Sequence, residues 1–268
     1  LASDPAAATS DSLQLEAYGL YCALTRGAAS VNAGNQDMEP NLGGKLLYAG
    51  ELDARGQAMV VAGNVSGCAT LAAAAEMTAQ KLVIHDGVVD FVVTSLDEAL
   101  RILKNEVRKR ATVAVCVGAA PSTVEREMIE RGVLPDLVFD GLPGKHRNVD
   151  FGAGTREVRL AEPNDGLAFV TWQVAQAPAR WMAKLDAIAL DCLSSDWQAR
   201  RWIRLSPPYC GRSAQARRVL YCELDSAKQI ISRFAAHVQD GEIDTVVSAS
   251  LFIGGETKVF RWAPVTTA

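Results

Sequence analysis

Three places in the chain carry residues whose types and spacing suit chemistry. The first is residues 45–67, KLLYAGELDARGQAMVVAGNVSG. A short apolar strand, a turn and a small-residue helix follow one another there. This is how a nucleotide-binding α/β domain opens, with the N–H groups at the helix start holding an anion. The turn is short of the glycines that let a backbone approach a phosphate. The second place is Asp140, with Lys145 and His146 beyond it, just past the apolar run PDLVFD. Open α/β sheets put functional groups at the carboxyl ends of their strands, which makes Asp140 and His146 candidates for a general acid/base pair. A strand-ending Asp followed by a solvated loop is the plainer alternative. The third is a cluster in which Arg200, Arg201, Arg204, Arg212, Arg217 and Arg218 interleave with Trp197, Trp202 and Tyr209. Such a mixture suits phosphate contacts and base stacking, an anion pocket or a subunit interface. An amphipathic helix with its arginines outward and its tryptophans in the core is the plainer alternative.

Other reactive side chains point to less. Cys210, in SPPYCGRS, reads as an exposed turn cysteine whose neighbouring arginines lower its pKa. His85 and His237 end expected helices, where a cationic or polar residue suits the dipole. No His or Cys pair has metal-ligand spacing.

Several classes are disfavoured by composition. The 268 residues carry a net charge of −4, so the whole molecule is no electrostatic footprint for nucleic acid. No apolar run reaches the length of a membrane span. The six cysteines include no C-x-x-C pair, and two of them sit in apolar runs, GNVSGCATL and TVAVCVG. Buried reduced thiols and a cytoplasmic compartment are the expectation. The stretch LASDPAAATS has neither the basic nor the apolar region of a signal peptide.

Elements must position these residues. Residues 1–12 read as loosely attached, followed by a short helix at 13–24 and an Asn/Gly/Pro-rich loop. Glycines 63 and 67 cost helix propensity, so close packing on a sheet is the expected reason for them. The region 70–86 is ambiguous by periodicity alone. VVDFVVT is a strand, and Ser95–Leu96–Asp97–Glu98 opens the next helix as a capping box, with Asp97–Arg101 and Glu106–Arg110 as ion pairs along it. TVAVCVG, PSTVEREMIERGV and PDLVFD continue the alternation as strand, helix and strand. This β-α-β-α order argues a doubly wound parallel sheet. After residue 150 the pattern changes to α+β: a strand LAFVTWQV, two helices, a strand RRVLYCEL, a helix SAKQIISRFAAHVQ, and two strands around the hairpin signal Gly254–Gly255.

Residues 46–140 resemble the central NAD-binding domain of urocanase, urocanate hydratase. The run SLDEALRILKNEVRKRATVAVCVGAAPSTVEREMIERGVLPDLVFD carries most of the likeness. It has the family's D-D/E-A-L helix, small-residue strand, helix ending in R-G-V, and P-D-L-V-x-D. Residues 71–96 match in spacing, with Asp90 at an Asp of the family. The resemblance implies a Rossmann-like fold, a strand near 70–74 and a helix from Met77. It also implies NAD at a turn of type A-G-L-G-G-M-G-G-A-Q. Here that turn runs from Ala49 to Ala58 and keeps only Gly50 and Gly56. Glu51 and Asp53 stand where phosphate charge would lie, with Arg55 as partial compensation. Gly50, Arg55, Gly56 and Gln57 are the residues the resemblance implies for a cofactor. The ribose-binding acid falls near Ala74, with Glu76 displaced. The family's Asn in G-N-A-A-E is lost at Ala119–Ala120–Pro121, and its D-Q-T-S-A-H-D run keeps only Asp140. No counterpart of its D-Y-G-N and Cys-bearing catalytic segments is found.

The expectation is therefore an α/β protein, a doubly wound Rossmann-like parallel sheet with a C-terminal α+β extension. Its parts are residues 1–44, 45–150 and 151–268. Its expected role is non-catalytic or regulatory binding of a small anionic or nucleotide-like ligand, with no cofactor or NAD, in a homodimer. Nucleic acid and membrane are not expected partners. An NAD-dependent hydratase or lyase acting on a small anion, and a structural assembly module, are the alternatives.

Overall fold

The computed structural model describes residues 5–29, 41–140, 149–159, 167–211 and 215–264. The chain divides into two compact units, residues 16–161 and residues 1–15 with 162–268. Among the described residues no helix is long and apolar enough to cross a membrane. The first helix, α1, spans Pro5–Ala29. It starts well before the expected residue 13, because Pro5 suits the first helical position and alanines extend it.

The unit of residues 16–161 is built on a six-stranded sheet. Its strands are β1 (Leu46–Glu51), β2 (Ala69–Ala73), β3 (Phe91–Val93), β4 (Val113–Val117), β5 (Leu137–Asp140) and β6 (Arg156–Arg159). They lie in the order β3-β4-β2-β1-β5-β6, every pair parallel. The helices between them are α2 (Ala54–Ser66), α3 (Met77–His85), α4 (Leu96–Lys109) and α5 (Pro121–Glu130). This is the doubly wound fold expected, with the strand and helix boundaries near 70 and 77 where the resemblance put them. The sheet also continues past residue 150. In β6 only Val158 of REVR is buried, so this edge strand looks like polar loop in sequence.

On one face, Leu96, Ala99 and Leu103 of α4 and Val124 and Met128 of α5 pack on Tyr48, Leu71, Val115 and Val138. On the other lies α2, buried from Ala58 to Ser66. Its close approach is visible at Gly63, where a Cβ would stand 2.6 Å from Thr70 Oγ1 and 2.7 Å from Leu47 Cδ2. Gly67 serves differently: it ends α2 at φ +92, the left-handed cap that glycine adopts without strain. Asp90 ties the strands, its carboxylate accepting the Ala114 N–H at 2.7 Å while its own N–H bonds Ala114 O.

The second unit holds an antiparallel sheet of β7 (Leu167–Val174), β8 (Arg217–Glu223), β9 (Val247–Ile253) and β10 (Glu256–Trp262), in the order β10-β9-β7-β8. Its helices are α6 (Pro178–Cys192), α7 (Trp197–Leu205) and α8 (Leu224–Gln239). Helices α6 and α8 pack together and on β7, where the Trp172 and Phe234 rings meet edge to face at 5.7 Å. Gly254 and Gly255, both at positive φ, make the two-residue turn between β9 and β10.

Candidate functional site

In the doubly wound sheet, β1 is flanked by β2 on one side and β5 on the other. The connections from these strands diverge, and the carboxyl end of β1 is the switch point where open α/β sheets bind ligands. The turn into α2 lies there. The register with β2 slips between Tyr48 and Gly50, and Gly50 takes φ +74, which re-aims the chain. Leu52, buried, gives its N–H to Ala73 O at 2.9 Å, so the turn is pinned onto β2.

The start of α2 is capped from within. Asp53 Oδ1 accepts the Gly56 N–H at 2.8 Å, and Asp53 O accepts the Gln57 N–H at 2.9 Å. Gly56 is obligatory for a local reason: a Cβ on it would sit 1.7 Å from Glu51 O. Arg55 turns to Glu16 of α1, and the two form a half-buried ion pair. Glu51 is exposed at the end of β1. The four residues expected at a cofactor thus all lie in this turn, and each of Arg55, Gly56 and Gln57 has a partner within the protein.

The neighbouring strand ends are similarly occupied. Gln80 of α3 donates to Ala74 O at 2.8 Å, and its amide lies against Gly118. Ala74 is buried, while Glu76 is exposed and precedes α3 without a side-chain cap. Below the turn, the Tyr48 hydroxyl lies 3.1 Å from the buried Glu125 carboxylate of α5. Burial, reinforced by that carboxylate, pushes the Tyr48 hydroxyl well above its ordinary pKa. Asp140 ends β5 beside the carboxyl end of β1, in register with Arg159 of β6. Lys145 and His146 lie outside the described residues.

The sheet and its turn define a domain of the doubly wound, Rossmann-like class. Residues 27–149 match the family model of the urocanase Rossmann-like domain, in keeping with the fold of this part of the chain. NAD is the cofactor that the resemblance implies. The residues present do not fit its pyrophosphate. The N–H that would meet a phosphate is taken by Asp53, and two carboxylates stand at a helix N-terminus that would otherwise favour an anion.

Elsewhere, Cys210 corrects its sequence reading. It is buried, and desolvation pushes its thiol up to about 12 in spite of the nearby Arg218. None of the six cysteines forms a disulfide, and all six are buried. His85 and His237 face Asp86 and Glu242, at 3.0 and 2.8 Å. Among the described residues no group of three or more His, Cys, Asp or Glu is arranged to hold a metal.

The Arg/Trp cluster does not form one surface. Trp202 is buried with its Nε1–H on Val219 O at 3.1 Å, and Arg201 and Arg218 are buried too. Arg218 reaches Asp186 of α6 through Nε and Nη2, both to Oδ2, at 3.1 and 2.8 Å. Trp172 Nε1–H donates to Asp186 Oδ1 at 3.3 Å. This buried network was missed in the sequence, although a signal existed. Alternation along RRVLYCEL puts Arg218 on the same face as Leu220 and Cys222, and Asp186 stands four residues after Met182 on an apolar stripe.

Proposed function

We propose that this protein binds a small anionic ligand in a non-catalytic, regulatory role on a urocanase-type Rossmann scaffold, and that NAD is not its cofactor. The contact between Asp53 Oδ1 and the Gly56 N–H carries the reading. A carboxylate supplied by the chain itself satisfies the donor that the family's glycine turn would leave for a phosphate. Glu51 adds a second negative charge beside it, so an anion is repelled from this helix end and is held elsewhere in the molecule. On this reading Gly50 and Gly56 serve the shape of the turn, while Arg55 and Gln57 brace it.

The test is direct. Purified protein is denatured and the supernatant examined at 260 nm for released nucleotide, and the native protein is titrated with NAD by calorimetry. No released nucleotide and no binding heat is the expected result. Retained NAD would overturn the reading in favour of an NAD-dependent hydratase or lyase.

A further inference from the structure

The second unit contains a cavity of about 470 Å³, and we propose that it is the binding site for a small organic monoanion with an apolar body. This deepens the function proposed above by naming a ligand class and a place. No residue of the turn at 50–56 takes part, so either proposal can fail while the other stands.

The size is that of a small-molecule site. Most of the wall is apolar, made by Ala177, Pro178, Met182 and Ala183 at the start of α6 and by Pro207 after α7. Such a wall recognises a hydrocarbon or ring surface rather than a sugar or polyphosphate. Its charged groups are Asp186, Arg218 and Arg180. Asp186 and Arg218 close on each other, and Arg218 Nη1 also bonds Arg217 O at 2.9 Å. That pair contributes no net charge to the cavity.

Arg180 is different. Its guanidinium is held over the Trp181 ring, 4.3 Å from the centroid, and among the described residues it makes no hydrogen bond or ion pair. Stacking fixes the group without using its N–H fork, which stays available for a carboxylate. Beside it the first turn of α6 has no side-chain cap. Ala177 O takes the N–H groups of Arg180 and Trp181, and proline 178 has none, leaving the Ala179 N–H as a further donor. One uncompensated positive charge over an apolar wall matches one anionic group on an apolar body. It does not match a dianion or a cation.

Benzoate, benzamide and benzylamine share one ring and differ in charge, and they serve as probes in isothermal titration of the full chain. Benzoate binds and benzylamine does not. Benzamide binds about tenfold more weakly than benzoate, the difference expected for one charge-assisted contact. Arg180→Gln loses about the same factor for benzoate and is indifferent for benzamide. Ala183→Trp, at an exposed helix position on the cavity wall, abolishes binding of both while circular dichroism stays unchanged. The proposal is overturned if benzoate gives no heat at millimolar concentration, if benzamide or benzylamine equals it, if Arg180→Gln keeps the wild-type affinity, or if folded Ala183→Trp still binds.

Discussion

The Asp53 carboxylate accepts the Gly56 N–H at 2.8 Å across the first turn of α2. An N-cap side chain of this kind satisfies one of the four donors that a helix start leaves open. Asp53→Ala removes it and is expected to lower stability by about 1 kcal/mol, a fall in Tm of about 2–4 °C. Asp53→Asn, which keeps the acceptor, stays within a few tenths of wild type. Thermal melts of the two variants check this. Equal melts for Asp53→Ala and wild type would show that the cap contributes nothing.

The glycines of the same segment should rank by what a methyl group would meet. At Gly56 the obstacle is backbone, Glu51 O at 1.7 Å, and the turn must open to admit a side chain. Gly56→Ala is expected to cost more than about 3 kcal/mol. At Gly63 the obstacles are the side chains of Thr70 and Leu47, which can shift in part. Gly63→Ala is expected to cost about 1–3 kcal/mol, offset partly by better helix propensity. Denaturant melts give the order, and a Gly63→Ala variant worse than Gly56→Ala would contradict it.

Much of this segment was legible in sequence because its reasons are local. The Ser95 cap is present, its Oγ accepting the Glu98 N–H at 3.3 Å, while the Glu98 carboxylate reaches back one residue further, to the Thr94 N–H, and the Gly254–Gly255 turn joins the strands it was expected to join. Local pattern failed where partners come from elsewhere in the chain. Asp97 pairs with Arg131 of the following helix end instead of Arg101, and Glu106 with Lys109 instead of Arg110. Exposed ion pairs are weak enough that the nearest available guanidinium or ammonium decides them. Cys210 was misread because a polar stretch such as SPPYCGRS says nothing about what packs over it. The cavity was invisible for the same reason: α6, the end of α7 and β8 meet only in the folded chain. Of the candidate site, the position of the turn and its shortage of glycine were readable. That Asp53 fills the helix start itself required the geometry.

Glu98 should make stability depend on pH in acid. The N–H and hydroxyl of Thr94 hold its carboxylate below the ordinary 4.5. A depressed value means that the unfolded chain takes the proton more readily. The stabilisation is therefore complete above 4.5 and is lost as pH falls through the lower, folded value. The difference in Tm between wild type and Glu98→Gln is expected to be widest near neutrality and to close in acid. A difference that stays constant with pH would mean that the charge plays no part.

The buried pair of the second unit gives a sharper contrast. Asp186 and Arg218 are nearly inaccessible, and burial raises the Asp186 carboxyl against the pull of Arg218 and the Trp172 N–H. Arg218→Met strands a carboxylate in an apolar wall and is expected to cost about 3–5 kcal/mol. The double variant Asp186→Leu/Arg218→Met removes both desolvation penalties and should recover most of that loss. A double variant as unstable as Arg218→Met alone would show that packing, rather than the stranded charge, is what the single change disrupts.

Ala177 offers a change in the opposite direction. It precedes α6 at φ +47 and ψ +54, where an L side chain crowds its own backbone. Relief of that crowding by glycine is worth about 1–2 kcal/mol. Against it stands the greater freedom that glycine gives the unfolded chain, about 0.4–1 kcal/mol. Position matters too: within a helix glycine would add a propensity cost, but at the residue before the helix it is tolerated. The first effect is the larger, so Ala177→Gly is expected to stabilise the protein by about 0.5–1 kcal/mol. Ala177→Val, with a branched side chain in the same conformation, should destabilise it. Denaturant titrations separate the two. A loss of stability in Ala177→Gly would mean that the Ala177 methyl makes packing contacts worth more than the backbone strain it imposes.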